Sequence, residues 1–324
     1  MGVITSFSSP YFRLEQVVDG VYAAIVTDGT GAWGNAGIVD LGDHTLVFDT
    51  FFTPIAAASL REAAEQVTGH RVRYVINSHR HADHVFGNSV FSDATIIATE
   101  QTRHLMQTRN PVFLEQIQTG QESIHALVER LSREHDLQRR KELERSLGDM
   151  HALSSVFEQV ELRLPDLTFE HRMVLHGTKR RVEVVSFGGG HTPSDALLYL
   201  PDDAVAFLSD LVQVRFHPSM GDSNLTEWMH ILTHIEALKL NIVVPGHGPV
   251  GTSVDVVTMR RYLADLLHLV TQTVEEGRVD EQSLVRHIPT TYADWESPSI
   301  FTDNVLFLYR QQLQSREKTL PKPE

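Results

Sequence analysis

A short histidine-rich motif constrains this chain more than any other feature. The residues HRHADH at positions 79–84 directly follow a predicted buried strand, Val72–Ile76. Alternate residues of an extended chain point to the same side, so His79 and His81 are suited to bind one metal ion together. Asp83 and His84 turn into the next element and are suited to bind a second ion. The chain must therefore fold so that a strand end presents this loop at a site.

Three more side chains of the metal-ligand type follow predicted strands later in the chain. His191 comes after the glycine run 188–190, Asp210 ends the predicted strand region 204–208, and His247 follows Ile242–Val244. Functional side chains are common in loops that a rigid scaffold positions. Each of these residues alone is compatible with an ordinary loop position, but all seven together indicate a metal site.

The composition of the chain restricts both its metal ligands and its partners. The sequence contains no cysteine, so imidazole and carboxylate groups must bind any metal. Its 42 acidic and 28 basic residues give a net charge of −14, which disfavours nucleic acid as a partner. No apolar run approaches the roughly 20 residues that cross a bilayer, and the N-terminus lacks the pattern of a secretory signal. We therefore expect a cytoplasmic protein that acts on a small-molecule substrate, without a membrane partner.

The pattern of apolar residues predicts two β-rich halves separated by a helical insertion at 99–157. Within the insertion, Ile124, Leu127, Val128 and Leu131 follow helical spacing. Packing on its own apolar stripe, a lid over the site and a dimer contact are the alternatives for its role. We expect a single domain over residues 1–324, with a C-terminal helical part at 252–324. Strands are predicted at 17–26, 36–39, 45–48, 72–76, 160–164, 168–175, 182–187, 196–200, 204–208 and 242–244.

The seven candidate ligands, in this order and in these contexts, resemble the signature of the metallo-β-lactamase superfamily. The resemblance covers roughly residues 17–250 without the insertion. It implies an α/β fold, namely an αββα sandwich of two mixed β-sheets flanked by helices, with a dinuclear site at one edge of the sheets. It also implies the ligands of each metal ion: His79, His81 and His191 for one, Asp83, His84 and His247 for the other, and Asp210 as the bridge between them.

The same resemblance implies a hydrolase with two zinc ions as cofactors. Iron and manganese are alternatives, because imidazole and carboxylate ligands suit these metals too. Metal binding lowers the pKa of water from 15.7 towards about 7, so a metal-bridging hydroxide can attack a carbonyl group at neutral pH. Asp83 and Asp210 are the expected catalytic residues: Asp210 bridges the metals, while Asp83 orients the nucleophile and passes its proton to the leaving group.

Several further residues are candidates for supporting the ligands or for binding the substrate. Asp49 follows the predicted strand 45–48, and Asp195 lies four residues after His191. Both are placed to accept the free N–H of a ligand histidine, with a turn cap as an equal alternative. The residues expected in the substrate wall, with core packing as the alternative for the aromatic ones, are Trp33, Phe51, Phe52, Arg215, Phe216 and His217.

Departures from known subfamilies leave the substrate open. Acyl-homoserine lactonases of this fold carry all seven ligands and a tyrosine three residues after the bridging aspartate, where this chain has Gln213. True β-lactamases of this fold usually lack the bridging aspartate. Flavin-linked diiron oxidoreductases replace the second histidine of the motif with glutamate.

We therefore expect hydrolysis of a small carbonyl ester, lactone, thioester or amide. A phosphodiesterase and a hydrolytic dehalogenase are alternatives that use the same site. From another class, an iron-dependent oxidoreductase and a non-catalytic metal-binding or ligand-binding protein stay open. The apolar stripes of the insertion offer a surface to bury, and we expect a homodimer.

Overall fold

Two mixed β-sheets lie face to face in the computed structural model, which describes residues 3–119, 124–275 and 288–319. Apolar clusters join helices to the outer face of each sheet, and a third cluster fills the space between the sheets. Each sheet thus buries both of its faces against another layer. This order of helix, sheet, sheet and helix confirms the predicted αββα sandwich.

The first sheet contains eight strands that lie side by side in chain order. They are β1 Val3–Ile4, β2 Phe12–Val18, β3 Val21–Val26, β4 Ala36–Asp40, β5 Thr45–Phe48, β6 Val72–Ile76, β7 Thr95–Thr99 and β8 Leu167–Phe169. The strands from β1 to β5 pair antiparallel, whereas those from β5 to β8 pair parallel. Parallel neighbours need long crossovers, which helices provide here.

The second sheet has five strands in the spatial order β13-β12-β11-β10-β9. They are β9 Arg172–His176, β10 Arg181–Gly188, β11 Asp195–Leu200, β12 Val205–Ser209 and β13 Ile242–Pro245. Only β12 and β13 pair parallel among the described strands of this sheet. Their carboxyl ends therefore meet at the same edge of the sandwich.

The described residues form eight α-helices. They are α1 Pro54–Thr68, α2 Ala82–Val85, α3 Glu100–Thr119, α4 Ile124–Arg133, α5 Leu137–Val156, α6 Leu225–Ala237, α7 Ser253–Glu275 and α8 Pro298–Thr319. Sequence signals explain the ends of α1. The hydroxyl of Thr53 accepts the N–H of Ala56, and Gly69 closes the helix in the left-handed conformation with φ 73°.

The layer between the two sheets depends on the alternation of side chains along each strand. In β12, Val205 and Phe207 face the first sheet, whereas Ala206 and Leu208 face the outer helices. Phe207 is 1% exposed and lies over Gly37 of β4. A Cβ atom on that glycine would lie 2.3 Å from Cε1 of the phenylalanine ring, so the glycine makes room for the ring.

The helical insertion consists of α3, α4 and α5 and lies between β7 and β8. Helix α5 touches the loop after β3, because Gly148 faces Gly29 without an intervening side chain. A Cβ atom on Gly148 would lie 2.4 Å from the carbonyl oxygen of Gly29. An apolar cluster that includes Phe52, Phe86 and Leu153 joins the same helix to the loops near the histidine motif. The insertion therefore packs on the body of the protein along α5.

The C-terminal part packs on the second sheet. Helices α6, α7 and α8 form one apolar cluster with the outer face of that sheet. Two stretches of the predicted helical part at 252–324, namely 276–287 and 320–324, lie outside the described residues. Among the helices of the described chain, none is both long and apolar enough to span a bilayer.

Three predicted strands are wrong in their bounds or their type. The predicted strand 17–26 covers a turn between β2 and β3, where Gly20 has φ 68°. The predicted strand 168–175 divides into β8 and β9, because the chain crosses there from the first sheet to the second. Residues 160–164 form no strand, although their alternating apolar side chains pack against the cluster of the insertion. Alternating apolar residues indicate that one face of a segment is buried, but they do not show that the segment pairs with a strand. Residues 160–164 bury such a face without a neighbouring strand.

Overpacking at Gly37 tests the spacing of the two sheets. Gly37→Ala should destabilise the protein by about 1–3 kcal/mol, because the new methyl group displaces the ring of Phe207. Urea unfolding monitored by circular dichroism measures this change. Phe207→Leu in the same background should recover part of the loss, since the two positions are in contact. Additive effects of the two substitutions would contradict the contact.

Candidate metal centre

The candidate ligands meet where strands from both sheets end. The motif 79–84 follows β6, and it continues into the short helix α2. His191 lies in the loop after β10, Asp210 follows β12, and His247 follows β13. Four separate segments of the chain thus converge at one edge of the sandwich.

One group of ligand atoms surrounds a single point. His79, His81, His191 and Asp210 offer nitrogen or oxygen atoms that all lie within 4.8 Å of one another. Nε2 of His191 is 3.1 Å from Nδ1 of His81 and 3.1 Å from Oδ2 of Asp210. Nε2 of His79 lies 4.0 Å from the same carboxylate oxygen. Three imidazoles and one carboxylate oxygen therefore face a common centre.

A second group lies directly beside the first. Asp83, His84 and His247 also offer ligand atoms within 4.8 Å of one another. Oδ2 of Asp83 is 3.3 Å from Nε2 of each histidine. Oδ1 of Asp210 lies 3.2 Å from Nε2 of His84 and 3.4 Å from Nε2 of His247. The two oxygens of Asp210 thus face the two groups separately, as a bridging carboxylate would.

The buried polar atoms of the site fit a pair of metal ions. Nε2 of His79, Nε2 of His84 and Oδ1 of Asp210 are buried and have no hydrogen-bond partner among the described residues. Such unpartnered buried atoms are costly in a protein, and a metal ion satisfies them. Imidazole nitrogen and carboxylate oxygen form the ligand set that zinc accepts, and iron and manganese accept it too.

The electrostatics of the two groups differ. Burial, together with the neighbouring His191, lowers the pKa of His81 to about 3. Burial also lowers the pKa of His79, so both of these imidazoles are neutral. At His247 burial opposes the proton, but the carboxylates of Asp210 and Asp83 outweigh it and raise the pKa to about 9. A metal ion that binds the second group must displace this proton.

A buried carboxylate behind the ligands orients two of them. Oδ2 of Asp49 lies 2.9 Å from Nδ1 of His84 and accepts its N–H, which leaves Nε2 free to face the site. The hydroxyl of Ser78 donates to the same oxygen at 2.8 Å and lies 2.9 Å from Nδ1 of His79. Ser209 donates to it as well, at 2.9 Å. Asp49 thus fixes one ligand directly and another through a serine.

The backbone around the site is strained. Asp49 has φ 61° and Ser209 has φ 45°, although neither is glycine. Side chains rarely adopt this conformation, and it is found preferentially at functional sites. Gly246 packs against Asp210 so closely that a Cβ atom would lie 1.9 Å from Oδ1 of the carboxylate. The position of the Asp210 carboxylate therefore depends on a glycine in the neighbouring loop.

The structure assigns Asp195 a different contact from the predicted one. Its carboxylate accepts the N–H of Gly190 at 2.7 Å and both the N–H and the hydroxyl of Thr192. Nδ1 of His191 is buried and has no hydrogen-bond partner among the described residues. Asp195 therefore holds the loop that carries His191, as the turn-cap alternative describes, and does not bind the histidine ring.

A cavity of about 600 Å³ opens beside the ligands. Trp33, Phe52, Phe216 and His217 line it, as expected of a substrate wall. Phe216 also stacks on the ring of His247, with centroids 5.1 Å apart. These aromatic rings place an apolar surface next to the second ligand group.

Two residues predicted for the wall lie elsewhere in the structure. Phe51 is fully buried in the core of the first sheet, where its ring packs 5.4 Å from that of Phe12. Arg215 is 64% exposed and pairs with Asp294. Core packing, which is the usual fate of a large aromatic side chain, explains the first case. Arg215 lies at the surface because the carboxylate of Asp294 pairs with its guanidinium group there.

The fold and the paired ligand groups define a protein with a candidate dinuclear metal centre at the edge of an αββα sandwich. A family model described as the metallo-beta-lactamase superfamily matches residues 30–247. Since this match covers more than half of the 324 residues, the chain belongs to that superfamily. Its members are usually metal-dependent hydrolases, and some are not hydrolytic.

Solved structures support the same fold. A metallo-β-lactamase from Hirschia baltica is similar with a TM-score of 0.56 and 14% sequence identity, and the match covers 78% of this chain and 98% of that one. TMB-1 is similar with a TM-score of 0.57 and 15% identity over 79% and 99%. The metallo-β-lactamase DIM-1, exposed to ceftazidime, reaches a TM-score of 0.57 and 16% identity over 80% and 99%.

Sequence patterns miss several residues of the site. Ser78 and Ser209 stand directly before a ligand, and a small hydroxyl residue at that place is a signal that could have found them. Arg145 and Asp149 line the cavity from helix α5. Nothing in the sequence distinguishes them from the other polar residues of an amphipathic helix, since their position depends on how the insertion packs.

Substitution of Gly246 tests the bridging position of Asp210. Gly246→Ala should weaken zinc binding by at least about tenfold, because the methyl group displaces the carboxylate. Competition with a chromophoric chelator measures the affinity. Gly221→Ala is the matched control, since a Cβ atom there meets nothing within 4 Å. Equal zinc affinity in both variants would contradict a role for Asp210 as a ligand.

Proposed function

We propose that this protein is a dinuclear zinc-dependent hydrolase of a small-molecule ester, lactone, thioester or amide. The observation that carries the proposal is the position of Asp210. Its Oδ2 faces His191 at 3.1 Å, while its Oδ1 faces His84 at 3.2 Å. A carboxylate shared in this way between two groups of imidazoles is suited to hold two divalent ions side by side.

Metal ions held by the two ligand groups would supply a hydroxide nucleophile at neutral pH and a Lewis acid for the substrate oxygen. In the reaction, the water oxygen forms a bond to the carbonyl carbon, the bond to the leaving group breaks, and the leaving group takes up the proton. Asp83 is the proposed proton carrier, because its side chain lines the cavity and is 16% exposed, against 6% for Asp210. Asp49 acts as a positioning residue through His84.

Gln213 supports this assignment of the proton carrier. It lines the cavity three residues after Asp210, and its Oε1 is buried without a hydrogen-bond partner among the described residues. An amide can hydrogen-bond a substrate but cannot serve as a general acid. Of these two side chains, the carboxylate of Asp83 is therefore the proposed proton carrier.

A substrate panel with metal analysis tests the proposal. The zinc-reconstituted protein should contain about two zinc ions per chain and hydrolyse one class among a chromogenic ester, a lactone, a thioester, a cephalosporin and a phosphodiester. Removal of zinc by a chelator should abolish the activity, and added zinc should restore it. Iron in place of zinc, with a coloured and redox-active protein, would favour an oxidoreductase instead.

Two aspartate variants make the test specific. Asp210→Ala should lose at least about a hundredfold in kcat/KM, because both metal positions lose a ligand. The exposed Asp202 precedes β12 in the same segment, and Asp202→Ala is the matched control. Activity that survives in Asp210→Ala would contradict the role of Asp210 in the reaction. A chain that binds no metal and hydrolyses none of these substrates would favour a non-catalytic binding protein.

A homodimer stays a prediction of the sequence. The insertion exposes Val112 of α3 and Val128 of α4, at 50% and 46% of their surface. We expect a particle of twice the chain mass of 36.5 kDa in size-exclusion chromatography with light scattering at micromolar concentration. A particle of the mass of one chain would contradict this prediction.

A further inference from the structure

The cavity beside the ligands extends from the metal centre to the helical insertion. At its inner end it is lined by Asp83, Asp210 and His247. At its outer end it is lined by residues of α3, α4, α5 and α8. Its volume of about 600 Å³ lies within the usual range for sites that bind drug-sized molecules. A substrate that reacts at the ligands therefore has room for a sizeable group under the insertion.

The insertion gives this outer part an apolar surface. Phe113 and Ile117 contribute from α3, Leu127 from α4 and Met150 from α5, while Ile300 contributes from α8. Leu127 is 3% exposed although its neighbours in the helix face solvent. Each of the three insertion helices thus directs apolar side chains into the cavity. An apolar group that fills it would gain the free energy of removal from water.

The charged side chains of the wall already have partners in the protein. Apart from the candidate ligands, the described residues with a formal charge in the wall are Arg80, Glu142, Arg145 and Asp149. Arg80 donates to Asp222 at 3.0 Å. The carboxylate of Asp222 therefore neutralises the charge of Arg80.

The other three charged side chains contact helix α8 and neighbouring loops. Glu142 accepts the N–H and the hydroxyl of Ser299. Arg145 donates to Ser297 and stacks on the ring of Phe216, 4.9 Å from its centroid. Asp149 accepts the N–H of Gly31 at 2.8 Å. Each of these charged side chains therefore already has a contact within the described protein, and a charged group on the substrate would have to displace such a contact to replace the hydration that it loses.

We infer that the insertion selects substrates with an uncharged, apolar acyl or aryl group, which lies between α3, α4 and α5 while the scissile carbonyl lies at the metal ligands. This inference rests on the proposed hydrolase function and names its substrate class. The insertion is thus a specificity element of the site.

A chain-length series tests the inference with the zinc-reconstituted full-length protein. The probes are the p-nitrophenyl esters of acetate, butyrate, hexanoate and octanoate. We expect kcat/KM to rise by up to about fourfold for each methylene that becomes buried. The half-ester of suberate carries a carboxylate at the end of the same eight-carbon chain, and it should react at least about tenfold more slowly than the octanoate ester. A flat series, or a suberate half-ester that reacts as fast, would overturn the inference.

Two variants locate the apolar group. Leu127→Trp narrows the cavity and should lower the ratio of octanoate to acetate activity by at least about tenfold. The adjacent Val128 is 46% exposed, and Val128→Trp should leave the ratio within about twofold of wild type. Ile117→Ala, which only removes atoms, should lower the same ratio about threefold to tenfold. Unchanged ratios in Leu127→Trp and Ile117→Ala would place the acyl group elsewhere and overturn the inference.

A binding measurement separates this inference from the proposed function. Calorimetric titration of the zinc-loaded protein with octanoate and with acetate requires no turnover. Octanoate should bind at least about tenfold more tightly, and Leu127→Trp should remove most of the difference. If the protein hydrolyses neither these esters nor any member of the substrate panel but keeps this preference, the proposed hydrolase fails and the apolar selection stands. Equal affinities would overturn the apolar selection, whatever the activity.

Discussion

The buried carboxylate of Asp49 is the group on which both halves of the site depend. It accepts hydrogen bonds from the backbone and the hydroxyl of Ser78, from the hydroxyl of Ser209 and from the ring of His84. Ser78 follows a strand of the first sheet and Ser209 ends a strand of the second. A carboxylate that is fully buried is tolerated only when donors satisfy its oxygen atoms. The contacts that satisfy Asp49 therefore also join the two sheets and orient the candidate metal ligands.

The metal centre concentrates features that would destabilise an ordinary protein core. Unpartnered nitrogen atoms at His79 and His84, and left-handed backbone at Asp49 and Ser209, lie within the same few residues. Packing elsewhere in the sandwich must maintain this arrangement before any ion binds. Metal ions that bind only the folded chain then add to its stability in proportion to the logarithm of their concentration. The site and the stability of the fold are thus coupled.

Much of the centre could be predicted from the sequence, because each of the four segments that carry the ligands follows an apolar strand. Strand ends that meet at one edge bring distant residues such as His81 and His191 together, and the resemblance to the superfamily implies that edge. The role of Asp195 could not be separated from a turn cap, since both need the same residue at the same place. Phe51 and Phe52 are adjacent, but only the fold decides that one enters the core and the other the cavity wall. Contributions of the insertion, such as Asp149, depend on long-range packing that no local pattern records.

The contact between Gly29 and Gly148 has a consequence for how the cavity recognises a ligand. Two backbones that touch without side chains between them leave little freedom for the helix to roll or slide, and α5 carries both Arg145 and Asp149 into the wall. A wall fixed in this way is preorganised, so a ligand loses little free energy to ordering it on binding. Recognition would then depend on the shape of the preformed cavity. A larger residue at either glycine would reduce the discrimination between ligands and leave the metal ligands in place.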